Sequence, residues 1–460
     1  MSKTLGITVM PEWIQHEGIE GVLAGLARAG ATAIGTSPYV MRVSSEGVGG
    51  REPPDDAGEG KVRLLDRPIG GKRELWMVTA PSFVPDKALY AGLAYQPAQP
   101  TELTTSEGPV LDKFIAAAKA AGLEVYLQVQ AAIPPGYRVQ FGGPAKNDIP
   151  LLPNGHEGKG RLDKNASLAS PDVVGYGQAL LRDLAAHYPQ VDGFRIDWPE
   201  YPPYSYDSLF LDFSVHAMRV AVRKGYDTTV MRTDSQRLWQ DLQGPLARTL
   251  VTTALEEGPE AAAGLLQGYA GVSELLRFKA DLVTDLLAAY REAIPKSMKL
   301  VAQAFPPPWC QASGFDFARV GKVVQGIAMK FYSMHWPVML GSYQAAMARS
   351  GVAPAELAAA LVRLLDTGSP APAGGFRYPE PQEPHPIGDE VHGTKTRWAQ
   401  ARAGACPVWP HAHGYGPLAD VARRFRAAWA AGEHGIWVNR YGYLSDAKLD
   451  ALGDLERATA

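Results

Sequence analysis

Short apolar runs alternate with helical segments along this chain, and that alternation restricts the fold more than any other feature. Eight β-like runs can be read: Leu5–Met10, Ala31–Thr36, Leu123–Gln130, Val191–Trp198, Lys299–Phe305, Gly326–Tyr332, Cys406–Pro410 and Gly435–Arg440. Helical text separates most of them, including Ile19–Ala29, Val110–Ala121 closed by Gly122, and a helix to about His187 opened by Ser170-Pro171-Asp172. Proline at a first helical position and glycine just past the end are the expected punctuation. Further helices are expected over Glu274–Ala293, Gly341–Arg349, Pro354–Asp366 and Pro417–Ala431, with a loop at 368–392. Such alternation predicts a parallel α/β fold. Eight strands predict one closed (β/α)8 TIM barrel spanning 1–460, with long insertions after strands 2, 3 and 4 at about 41–107, 134–169 and 205–295. The first insertion carries a hairpin signal near Glu74–Val78. A doubly wound sheet is the runner-up, weakened because no glycine-rich phosphate loop follows the first strand.

Composition narrows the class. At 460 residues, 46% hydrophobic and 20% charged, the chain can bury a large core. A net charge of −3 offers no electrostatic case for nucleic acid or an anionic membrane. Cys310 and Cys406 stand far apart, which excludes a disulfide framework and argues against structural zinc. No stretch reads as a signal peptide or a membrane span, so the expectation is a soluble, cytoplasmic protein, with self-association left open.

In a barrel, the C-terminal ends of all strands converge on one face. Those ends offer Glu12 and Trp13; Tyr39; Gln128 and Gln130; Asp197 and Glu200; Gln303; Tyr332 and His335; His411 and His413; Arg440 and Tyr441. The fourth is the most informative. In VDGFRIDWPEYPPY, residues 191–204, an apolar strand stops at Trp198-Pro199, leaving Asp197 and Glu200 three residues apart. Arg195 shares a face with Asp197, since side chains alternate with period two. A pair of carboxylates at a buried strand end needs a partner or a use. The nearby rings of Trp198, Tyr201, Tyr204 and Tyr206 suit sugar faces.

The chain here resembles TIM-barrel glycoside hydrolases. Asp192-Gly193-Phe194-Arg195-Ile196-Asp197 is similar to the fourth-strand motif of the α-amylase clan, whose final Asp is the nucleophile and whose Arg orients it. Extended through Trp198-Pro199-Glu200-Tyr201-Pro202, the stretch also resembles the chitinase signature DGxDxDWEYP, whose Glu is the general acid. Met329-Lys330-Phe331-Tyr332 is similar to a sixth strand whose Tyr faces the sugar, and uncharacterised glycoside-hydrolase-like families carry DGIxLDxxxYP on strand 4. There are departures. Arg195 stands where the chitinase pattern has Asp, and Pro199 is an extra residue that sends Glu200 to the opposite face unless a bulge or strand end intervenes. Against the amylase pattern, Gln303 stands where a fifth-strand Glu is expected.

The resemblance implies a glycosidase; the lack of a signal peptide adds the expectation of a small carbohydrate substrate, and no cofactor is expected. Asp197 is the expected nucleophile or stabilising carboxylate, its anion favoured by Arg195. Glu200 is the expected acid, with an apolar setting raising its pKa, and Glu12 is the next candidate. Trp13, Tyr39, Gln128, Trp198, Tyr201, Gln303, Tyr332, His335, His411, His413, Arg440 and Tyr441 are the expected substrate contacts. One alternative is a metal-dependent hydrolase or lyase using His411 and His413, whose i, i+2 spacing suits a divalent metal; the simpler reading makes them solvent-facing loop histidines. Another is a sugar-binding barrel without catalysis.

Overall fold

The computed structural model describes residues 3–44, 47–56, 61–138, 142–160 and 164–457. Eight strands close a barrel: β1 (Thr4–Thr8), β2 (Ala33–Thr36), β3 (Glu124–Gln130), β4 (Gly193–Asp197), β5 (Lys299–Ala304), β6 (Gly326–Phe331), β7 (Val408–His413) and β8 (Gly435–Asn439). Every strand pairs in parallel with the next in sequence, and β8 closes on β1 with Thr4 opposite Gly435. Helices lie between strands throughout, so the (β/α)8 architecture is the one the alternation predicts.

Alternation along the strands builds the interior in layers. At the N-terminal end Ala33, Tyr126, Val301, Ala328, Trp409 and Trp437 pack as an apolar plug. The β1 backbone passes close to that plug at Gly6, where a Cβ would fall 2.4 Å from the Trp437 ring. Two residues further along each strand the inward positions turn polar: Gln128, Arg195, Gln303, Lys330 and His411 are all buried. Another two residues on, Gln130, Asp197 and His413 reach the C-terminal mouth.

Most expected elements are present, with informative differences. Ser170 Oγ accepts the Val173 N–H and caps the helix Pro171–His187, as its sequence implies. The first helix starts earlier, at Pro11, and bends at Gly18, whose φ of 75° interrupts it. The helix after β6 starts at Trp336, and a helix at Asp389–Ala403 occupies part of the expected loop. Strand β7 runs on to His413, so His411 and His413 are buried strand residues and not loop histidines. Trp409, His411 and His413 share the inward face at period two, a pattern masked in the sequence by Pro410, which reads as a strand terminator.

The excursions shape the mouth. After β2, the segments Tyr39–Ser44 and Gly50–Glu52 both pair antiparallel with Leu75–Pro81, realising the hairpin signal as a three-stranded sheet. After β4, helices from Val215 to Gly264 lead into the long helix Ala270–Ala293. Among the described residues, no helix is long and apolar enough to cross a membrane.

Candidate active site

Asp197 is the last residue of β4 and lines a cavity of about 440 Å³ at the C-terminal mouth. Lys330 Nζ, from the inward position of β6, lies 2.7 Å from Asp197 Oδ1. The other carboxylate oxygen is 3.4 Å from both the Gln128 and Gln130 amides, and Gln303 Nε2 donates to Gln128 Oε1 at 2.9 Å. Lys330 is held beneath aromatic faces, with Nζ 5.4 Å from the Trp198 ring centre and 5.1 Å from that of Phe305. The expected Arg195–Asp197 pair does not form. Arg195 points down the barrel, donates to Thr8 Oγ1 at 3.0 Å, contacts His411 Nε2 at 3.4 Å and lies 3.7 Å from the Trp437 ring centre.

Glu200 takes a different course from the one expected. Trp198 has a φ of 50°, in the left-handed region that bulky residues rarely occupy. Beyond that bend, Glu200 turns under β5, where it is fully buried and does not line the cavity. Its Oε1 accepts the Phe305 N–H at 2.9 Å and its Oε2 accepts Ser313 Oγ at 2.5 Å. Burial pushes its pKa up to about 7, against the opposing pull of Lys330 and its two hydrogen-bond donors. Asn165 Nδ2 donates to the carbonyls of Trp198 and Glu200, both at 2.9 Å, and fixes the bend.

Of the other expected contacts, Gln128, Trp198, Tyr332, His335 and Arg440 line the cavity. Tyr39 and Glu12 lie behind it: Tyr39 Oη donates to Glu12 Oε2 at 2.7 Å, and Arg138 Nη1 lies 3.2 Å from Glu12 Oε1. Trp13, Tyr201 and Tyr441 are buried off the cavity as packing residues, and Gln303, also off the cavity, supports Gln128. Tyr441 Oη instead donates to Glu17 at 2.8 Å, and Tyr201 Oη to Asp212 at 3.0 Å.

The two β7 imidazoles each face a guanidinium. Arg195 approaches His411 Nε2, and Arg63 Nη1 lies 2.8 Å from His413 Nε2. Burial and these cations hold both imidazoles well below their ordinary pKa. A ring nitrogen turned toward a guanidinium is poorly placed for a second cation. Among the described residues, no group of three or more His, Cys, Asp or Glu gathers as a metal site.

The sequence reading missed Lys330 as an Asp197 partner, although its inward position follows from alternation with Ala328. It also missed Arg138, Glu52, Arg63 and Lys164, which come from irregular excursions where no period marks them. Glu52 is buried against both Arg138 and Arg440.

No family model and no curated protein matches the chain. Solved structures do. The catalytic domain of a β-amylase from Paenibacillus polymyxa aligns with a TM-score of 0.50 at 11% identity, covering 99% of this chain and 98% of that one. A β-galactosidase from the psychrophilic Marinomonas ef1 aligns at 0.48 and 12% identity over 99% of this chain, which spans 59% of the galactosidase. A class V chitinase from Pseudomonas fluorescens Pf-5 gives 0.42 at 12% identity, covering 99% of this chain and all of that one. At such identities the likeness is one of fold alone, a (β/α)8 barrel.

Proposed function

We propose that this chain is a glycoside hydrolase acting on a small glycoside or oligosaccharide in the cavity around Asp197. One observation carries the reading: among the described residues lining that cavity, Asp197 is the one carboxylate, and it sits at the catalytic end of the barrel beside Trp198, Tyr204 and Tyr332. Asp197 is assigned as the nucleophile. The proton donor is assigned to His335, because Glu200 is sealed off with both oxygens engaged. His335 lines the same cavity, with Nδ1 3.3 Å from Tyr204 Oη, and imidazole is a common general acid.

In the first step an Asp197 oxygen bonds to the anomeric carbon as the glycosidic C–O bond breaks, and the His335 proton passes to the leaving oxygen. Water then attacks the anomeric carbon, gives its proton to His335 and releases Asp197, which regenerates both groups. Glu200 keeps a structural part, tying the loop after β4 to Phe305 and Ser313.

The test is Asp197→Asn against aryl glycosides of varied sugar and anomeric configuration. Loss of turnover by orders of magnitude in a variant that remains folded at the assay temperature supports the assignment; near-normal turnover discards it. A sugar-binding barrel without catalysis is the second reading, favoured by the shortage of a second carboxylate in the described lining. Calorimetric binding of sugars that are never cleaved would select it.

A further inference from the structure

Resting on the carbohydrate reading above, a substrate class can be drawn from the wall facing the excursions. We propose that the cavity takes an anionic sugar, one carrying a carboxylate or a phosphate, with Arg138 and Arg440 receiving the anion.

Among the described lining residues, Arg51, Arg63, Arg138, Lys164 and Arg440 are cationic and Asp197 alone is anionic, already ion-paired with Lys330. Glu12 and Glu52 balance part of this charge from behind. Both contact Arg138 and Arg440, yet neither carboxylate lines the cavity. A ligand therefore meets guanidinium faces whose positions are fixed from below. Arg440 is only 6% exposed and its Nε has no hydrogen-bond partner.

Burying two arginines and two glutamates is an expensive way to hold a barrel mouth together, since apolar packing does as well. It is a sound way to fix two guanidinium groups at the cavity wall, their terminal nitrogens held by the glutamates and the Arg440 Nε left for a carboxylate or phosphate. The Trp198, Tyr204 and Tyr332 rings offer the sugar an apolar face, while the arginines supply a positive pole.

The experiment is calorimetric titration of the full chain with hexuronates, hexose 6-phosphates, neutral hexoses and inorganic phosphate, at low and high salt. The expected result is at least tenfold tighter binding of one acidic class than of the matching neutral hexose, weakening with salt; the uronate and phosphate arms decide which anion. Arg440→Lys should cost tenfold or more in affinity for the acid, because a lysine keeps the charge but has no Nε–H beside nitrogens already held by Glu12 and Glu52. Lys164→Gln, on an exposed side chain, should weaken the acid severalfold. Equal affinity for neutral and acidic sugars overturns the inference and leaves the glycosidase reading standing. Inorganic phosphate binding as tightly as the hexose phosphates also overturns it. Absence of binding and cleavage for every sugar would remove the carbohydrate reading and this inference together.

Discussion

Lys330 Nζ sits 2.7 Å from Asp197 Oδ1, an ion pair between β6 and β4 across the barrel interior. The lysine side chain is 1% exposed and the aspartate 17%, so the pair is largely withdrawn from water. Removing one partner of such a pair strands the other, which costs more than the pair contributes net. Lys330→Met is accordingly expected to lower unfolding free energy by about 3 kcal/mol. Adding Asp197→Asn to that variant should recover much of the loss, because no charge is then stranded. Urea unfolding of the two single variants and the double variant measures the coupling. Additive losses would show that the two charges do not depend on each other.

Glu200 provides a pH signature. Its folded pKa is raised to about 7 from 4.5, mainly by burial. Between those values the folded state binds more protons than the unfolded state, so stability falls as pH rises. The contribution is full below about pH 4.5 and lost above about 7, a swing of roughly 3 kcal/mol. Glu200→Gln resembles the protonated acid, keeping an acceptor for the Phe305 N–H and no ionisable group. The variant should match the wild type near pH 4.5 and exceed it at pH 8. Lys279, lowered to about 7 by burial and partly sustained by Asp212 and Glu200, titrates in the same range, so the difference between the proteins includes its coupling to Glu200. Denaturation midpoints that stay parallel from pH 4.5 to 8 would contradict the prediction.

The barrel was legible because eight strands and their helices each carry a periodic signal. Strand 7 was truncated because Pro410 breaks the pattern that His411 and His413 continue. The site was legible only where it comes from strand ends: Asp197, Gln128, Trp198, Tyr332, His335 and Arg440 all follow from knowing that strands converge. Glu200 could not be placed, because the turn at Trp198 decides its direction and a single positive φ leaves no trace in composition. Arg138, Glu52 and Arg63 were invisible for a related reason. Irregular excursions bring them to the mouth through long-range contacts, and no local spacing reports those.

Gly6 tests the layered interior. A methyl group there would lie 2.4 Å from Trp437 Cδ2, and that ring is wedged between Tyr126, 5.7 Å away edge-on, and the Arg195 guanidinium at 3.7 Å. With no room for the ring to move, Gly6→Ala should cost about 2–3 kcal/mol, as overpacked cores do. Gly30→Ala is the contrasting control for space: its Cβ would meet nothing within 4 Å, and its cost comes instead from a φ of 69°. Thermal unfolding of both separates crowding from backbone strain, since a compensating small-residue change at Trp437 should relieve only the first.

Arg195 gives the sharpest contrast between a sequence motif and the structure it forms. A motif arginine ion-paired to Asp197 would cost about 3–5 kcal/mol to remove, through the stranded carboxylate. Here the guanidinium is fully buried and its pKa is lowered to about 10 from 12.5 by burial, with Tyr332 and Asp197 opposing. The guanidinium stays protonated in both the folded and the unfolded state, so its burial is a desolvation cost that pH does not relieve. At pH 7 both states are protonated and the full cost of roughly 3 kcal/mol is present. Against that cost stand the Thr8 hydrogen bond, worth about 1 kcal/mol, and stacking on Trp437, worth about 2 kcal/mol when desolvated. These terms nearly cancel. Arg195→Met, of similar reach and without charge, should therefore change stability at pH 7 by less than about 1 kcal/mol. Urea denaturation at constant m-value reads the difference. A loss of 3 kcal/mol or more would contradict this balance and give the buried guanidinium a net stabilising role.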